Sequence, residues 1–306
     1  MILVALDVAL AHQGAADVGL GIAPEQDAVR QDARAFAGAL ERADDVQKIG
    51  VVALLGGRRA ERLETLVAIF QRVQAGAPMM RLFLGKVVHA ALEVFYRHRH
   101  VGVTLDAADV CHRTIDLWAR LVDEADMKFD SPAEEPALQK QAAGLVTAYL
   151  GCVPENEKPS AVEAAVEMPL IDPATGEDIG IPLLGIMDLI LGGDGGPLIV
   201  DFKTSSRSSE PSEITHEIQL SSYAYLLRQV SDRTEAGLEI RSLIKTKSPK
   251  VEIHRYPPRT DGHFRRLFAV IREYLDALDA GRFNYRPGFH CGMCDFRDGH
   301  CNDWQA

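Results

Sequence analysis

The stretch that most constrains this chain runs from Ile181 to Thr204, IPLLGIMDLILGGDGGPLIVDFKT. Two apolar runs flank Gly192-Gly193-Asp194-Gly195-Gly196, and Pro197 opens the second run, a pattern that predicts a β-hairpin. Each run is interrupted by charge: Asp188 stands among Ile186, Met187, Leu189 and Ile190, while Asp201 and Lys203 follow Leu198-Ile199-Val200. A carboxylate in a buried strand is costly unless a cation or hydrogen bonds compensate it. The two-residue period of a strand puts Asp201 and Lys203 on one face and Phe202 on the other. Simple hairpin register brings Asp188 towards the first of these faces. Two carboxylates and a lysine converging on an apolar sheet are suited to a hard metal ion with a cation beside it; a buried Asp–Lys ion pair is the plainer alternative.

With 306 residues, 47% hydrophobic and 25% charged, the chain has the composition of a soluble globular protein with ample core. No apolar run approaches the ~20 residues of a membrane span. The start, MILVALDVALAHQG, lacks the basic segment of a signal peptide and carries Asp7. A cytoplasmic location is the resulting expectation, with no membrane partner. The formal charge of −11 is unevenly spread, for residues 101–190 hold 17 acidic against 5 basic residues. That local excess leaves room for polyanion binding elsewhere. Basic clusters occur at Arg97-His98-Arg99-His100, from Lys203 to Arg207, and along Arg241, Lys245, Lys247 and Lys250.

Residues 1–80 read as a poorly defined, mainly helical region, with helices near 25–45 and 60–74 and a possible strand at Ile49–Leu55. From Met80, a stripe of Leu84, Val87, Val88, Ala91, Leu92 and Phe95 predicts an amphipathic helix carrying His89 near its apolar face. Gly85 would permit close packing. Helices follow over Ala107–Ala125 and Ala133–Leu150, then a strand from Val162 to Ile171. Its alternating Glu163 and Glu167 suggest a solvent face, with Glu167 close enough in sequence to support the site. After the hairpin, a helix from about Pro211 to Val230 puts Gln219 and Tyr223 on one face. Strands at Leu238–Lys245 and Lys250–Tyr256 and a helix at Gly262–Ala280 complete the pattern.

The order Gly85-x3-His89, Gly185-x2-Asp188, Asp201-Phe202-Lys203-Thr204, Gln219-x3-Tyr223, then a cysteine cluster, resembles the PD-(D/E)XK nuclease superfamily. Within it, the likeness is to the RecB and AddB nuclease-domain branch and the CRISPR-adaptation exonucleases. The resemblance implies an α/β restriction-endonuclease-like core over residues 81–306, a central mixed sheet flanked by helices, with a Cys-rich C-terminal tail. It implies a Mg²⁺- or Mn²⁺-dependent deoxyribonuclease. Asp188 and Asp201, the main-chain carbonyl of Phe202, and His89 would hold the metal, the imidazole favouring Mn²⁺. Lys203 would orient the attacking water and stabilise transition-state charge, and Gln219 and Tyr223 would close the site.

Of five cysteines, Cys291-x2-Cys294-x6-Cys301 has metal-ligand spacing. The resemblance implies a [4Fe-4S] cluster there, whose fourth ligand in relatives lies upstream of the histidine motif. Residues 1–88 contain no cysteine, which leaves Cys152 or Cys111 as candidates, each of which also reads as a small buried hydrophobe. A zinc site is the alternative. The sequence therefore favours an exonuclease on single-stranded DNA ends, in repair, recombination or phage-type processing. The alternatives are a CRISPR-adaptation-like trimming nuclease and a non-catalytic DNA-binding scaffold of the same fold. No G-x4-G-K-[ST] occurs, so duplex opening would need a helicase or recombination partner.

Overall fold

A computed structural model describes residues 79–125, 127–206 and 213–280. The expectations for residues 1–78 and for the cysteine cluster at 291–301 lie outside the described residues. The elements are α1 (Met79–His100), α2 (Ala107–Glu124), α3 (Glu134–Leu150), β1 (Pro159–Ile171), β2 (Asp178–Leu191), β3 (Leu198–Ser205), α4 (Glu213–Ser231), β4 (Gly237–Ile244), β5 (Lys250–Tyr256) and α5 (Asp261–Asp279). The strands form a mixed sheet in the order β1-β2-β3-β4-β5. All neighbours are antiparallel except β3 and β4, which run parallel through α4. This is the expected central mixed sheet flanked by helices.

The apolar stripe of α1 lands where its period puts it: Leu84, Val87, Val88, Ala91 and Leu92 are fully buried. They form one core with α2, α3 and the facing side chains Val200, Phe202 and Leu243. A second core on the other side of the sheet joins α4 and α5 to Ile199, Leu238 and Ile240. The helix α2 starts with a capping box, in which the Asp106 and Asp109 side chains accept each other's backbone N–H.

The anticipated hairpin differs in its proportions. The longest pairing is β1 with β2, around the turn at Asp172–Glu177, whereas β2 pairs with β3 only at Leu189↔Val200, Ile190↔Ile199 and Leu191↔Leu198. Continuing that register would set Asp188 opposite Asp201, but the ladder ends one step before. The two strands part at the aspartates. At the turn itself, Gly196 adopts φ 116°, open only to glycine.

The strands β1 and β2 also exchange faces at this level. Leu183 and Met187 belong to the α4–α5 core, yet Leu189 and Leu191, also odd-numbered, belong to the α1–α3 core. On β1, Val162 packs on the α1–α3 side, while Ala164, Val166 and Met168 pack on the other. Pairing stays in step across the change, Val162↔Leu189 and Ala164↔Met187 flanking Glu163 and Asp188. Glu163 absorbs the change with φ 48°, a left-handed conformation that costs about 1–2 kcal/mol for a residue with a Cβ.

Two arginines from the basic clusters, Arg99 and Arg241, turn out to be engaged internally. Arg99 donates to the carbonyls of Pro154, Glu155 and Glu157, fastening the segment after α3 to the end of α1. Arg241 is 3% exposed and binds Glu157, Glu239, Tyr149 and Tyr96. Neither is placed to meet a polyanion, because each guanidinium is already engaged by protein oxygens.

Candidate active site

The site forms where β2 and β3 part. Asp188 and Asp201 are 2% and 0% exposed, on strands whose neighbours are wholly apolar. Their burial is compensated differently. One oxygen of Asp188, Oδ2, accepts the Phe202 N–H at 2.8 Å, replacing the missing ladder bond. Its Oδ1 lies 3.5 Å from His89 Nδ1. Asp201 Oδ1 accepts from Lys203 Nζ at 3.1 Å and from Gln219 Nε2 at 2.8 Å, and its Oδ2 forms an ion pair with Lys203 Nζ at 2.9 Å. Burial pushes the Asp201 carboxyl above its usual range, Lys203 pulls it back, and the nearby Asp188 raises it again.

Gln219 and Tyr223, one turn apart on α4, face this carboxylate. The Gln219 amide donates to Asp201 and, at 3.0 Å, to the Tyr223 hydroxyl, which fixes its orientation with both hydrogens used. Burial, then Asp201 and Asp188, hold the Tyr223 phenol well above its usual range, so it stays protonated. Phe202 points the other way, its ring packed between Tyr96, Tyr149 and His89. The strand thereby holds Asp201 and Lys203 on the α4 side from a rigid aromatic anchor.

Three donor groups, from His89, Glu163 and Asp188, lie within 4.8 Å of one another. His89 Nδ1 is buried without a hydrogen bond of good geometry. An imidazole and two carboxylates suit a divalent cation, and the close carboxylates are electrostatically costly without one. Among the described residues Asp201 does not join this group; its oxygens turn to Lys203 and Gln219 instead. Glu163 is the residue that sequence reasoning passed over. Glu167, the glutamate favoured from the sequence, is exposed on the edge strand, because the face change at Glu163 turns the later residues outward. A further unanticipated group is His216, one turn before Gln219 on α4. Its pKa is lowered to about 4 by burial and by Lys203, so a neutral imidazole borders the lysine.

Close approach of α4 depends on Gly185. A Cβ there would lie 2.5 Å from Leu226 Cδ1 and 3.6 Å from two ring carbons of Tyr223. Leu226 is fully buried and has nowhere to swing. Gly185→Ala should therefore destabilise the fold by about 1–3 kcal/mol, read as a lower denaturant midpoint. An unchanged midpoint would show that α4 is not held this tightly. Gly85 plays the same part for α1, where a Cβ would meet Thr204 Oγ1 at 3.2 Å.

The cluster cysteines lie outside the described residues, and the two fourth-ligand candidates lie within them. Cys152 is exposed and directs Sγ to the Tyr149 carbonyl, while Cys111 is half-buried between α2 and α3; burial raises both thiols.

A model of the PD-(D/E)XK nuclease superfamily matches residues 21–299. The chain belongs to that superfamily. Its members are metal-dependent nucleases, and the buried aspartates, lysine and imidazole described above suit that chemistry. No curated protein matches. Two solved structures are similar at 14% identity each. One, of a protein called SSO0001, has a TM-score of 0.35 and covers 71% of this chain and 83% of its own. The other, described as a candidate exonuclease from Eubacterium rectale, has a TM-score of 0.39 and covers 63% and 74%. Among the described residues no helix is long and apolar enough to cross a membrane.

Proposed function

We propose that this superfamily member is a Mg²⁺- or Mn²⁺-dependent DNA exonuclease that acts on single-stranded ends. The observation that carries the reading is the pair of buried aspartates at the strand split, with Lys203 held on one and an imidazole beside the other. His89, Asp188 and Asp201 would hold the ion, with Glu163 as a further donor and the Phe202 carbonyl as the main-chain ligand. When bound, the ion supplies Lewis-acid stabilisation of charge on the reacting phosphate. Lys203 keeps a fixed ammonium at the mouth of the site, where it orients the attacking water and meets the developing negative charge. Gln219, locked by Tyr223, prevents Asp201 from rotating away. Neutral His216 adds no charge that would compete with Lys203 for the phosphate.

Repair, recombination or phage-type processing would use such an activity, as would trimming of DNA for CRISPR adaptation. A helicase or recombination partner would supply single strands. A catalytically silent scaffold is disfavoured because a scaffold has no need to bury two carboxylates beside a lysine. The Cys291, Cys294 and Cys301 spacing supports a [4Fe-4S] cluster, or a zinc ion, anchoring the tail. Exonuclease action is tested with labelled linear and circular single-stranded DNA in Mn²⁺. The linear strand should be degraded and the circle left intact. Cleavage of the circle would make the enzyme an endonuclease.

A further inference from the structure

The substrate's flanking strand also needs a path, and one end of the sheet supplies charge for it. The parallel pairing of β3 with β4 runs through Lys203↔Ser242 to Ser205↔Ile244 and continues as Lys245 N–H donating to the Ser205 carbonyl at 2.8 Å. The β4–β5 turn is thus bonded to the end of the strand that carries Asp201 and Lys203. Its sequence, KTKSPK from Lys245 to Lys250, has three lysines and no acid, and Lys247 and Lys250 are exposed. The turn is braced, since Pro249 lies against Gly144 of α3 and Thr246 Oγ1 donates to the Ser248 carbonyl. Three strand residues separate the Lys203 level from Lys245, about 10 Å at the rise of a β-strand. On α2, by contrast, the exposed Asp109, Asp116, Asp123 and Glu124 outnumber the exposed Arg113 and Arg120, a balance that disfavours a polyanion.

We propose that the β4–β5 turn, through Lys247 and Lys250, is a docking surface for the phosphate backbone of single-stranded DNA leaving the cleft. This inference rests on the nuclease reading of the site. The turn acts by charge on nucleotides beyond the one being cut, so it sets affinity for long strands and leaves the bond-breaking step alone.

The test compares wild type with K247E/K250E and with K247R/K250R. The substrates are a 20-nucleotide single strand and a dinucleotide too short to reach the turn. The glutamate variant should raise KM for the 20-mer by about tenfold, with kcat and dinucleotide cleavage unchanged, and the arginine variant should behave as wild type. In an anisotropy measurement of 20-mer binding, the slope of log K against log salt should fall in magnitude by about 1.4 in the glutamate variant, the value for two lost phosphate contacts. Equal KM and equal salt slope in wild type and K247E/K250E would overturn the proposal. If wild type cleaves neither substrate, the nuclease reading fails and the binding slope alone decides this one. An unchanged slope, or no binding by wild type, then overturns it.

Discussion

Replacing Asp201 or Lys203 by alanine is expected to lower DNA cleavage by about 10³-fold or more while the chain remains folded. Removal of one preorganised charge-stabilising group commonly costs about 10²–10³ in kcat, and members of one catalytic unit cost more. Here the two groups form such a unit, Lys203 Nζ lying 2.9 Å from Asp201 Oδ2. For Asp201 the sign of the stability effect follows from the carboxyl's environment. Burial raises the Asp201 pKa above its usual value, so the folded protein favours the protonated form. Any stability this group contributes is fully present below its unfolded pKa and is lost as pH rises through the raised folded value. The ionised form of this carboxylate is therefore a burden on the metal-free fold. Asp201→Asn, of the same shape, should keep or raise the thermal midpoint in EDTA while abolishing cleavage. An asparagine variant that cleaves normally, or that unfolds, would contradict this account of the site.

The largest expected loss of stability lies elsewhere, at Arg241. Its guanidinium is buried between Glu239, Glu157 and the hydroxyls of Tyr96 and Tyr149. Burial raises the Tyr149 phenol to about 12 and Tyr96 further still, and the same set of anions and hydroxyls holds the arginine charged. Arg241→Ala leaves Glu157 without its cation and Glu239 with only the largely exposed Arg255. Breaking a buried pair from one side costs about 3–5 kcal/mol, large against the total stability of a domain. The network joins α1, α3, the segment after α3 and β4, and Tyr96 stacks at 6.0 Å on Phe202 of the catalytic strand. Equilibrium urea unfolding measures the effect. A shift below about 0.5 kcal/mol, the range of an ordinary surface substitution, would mean the network is not fully desolvated.

The sheet and the helices flanking it were legible because their signals are local. The stripe on α1 and the apolar runs of β2 and β3 declare their periods within one or two turns of chain. Asp188, Asp201 and Lys203 stood out for the same reason, as charges where the period demands apolar residues. Glu163 did not, since alternation with Glu167 looks like a solvent face. Only a left-handed residue in mid-strand, and a matching change of face on β2, turns it towards His89 and Asp188. Arg241 misled in the opposite direction. From sequence it belonged to a basic run with Lys245 and Lys247, but its partners come from residues 96, 149 and 157, far along the chain. His216 had no signal beyond its helical spacing to Gln219.

The central claim, that the split between β2 and β3 is a metal-dependent phosphodiester-cleaving centre, is tested most directly by one assay. End-labelled single-stranded DNA is incubated with wild type and with Asp201→Ala, in Mn²⁺ and in EDTA. The account predicts cleavage by wild type in Mn²⁺ alone, with the other three mixtures inert. Cleavage that persists in EDTA, or in the Asp201→Ala protein, would contradict it.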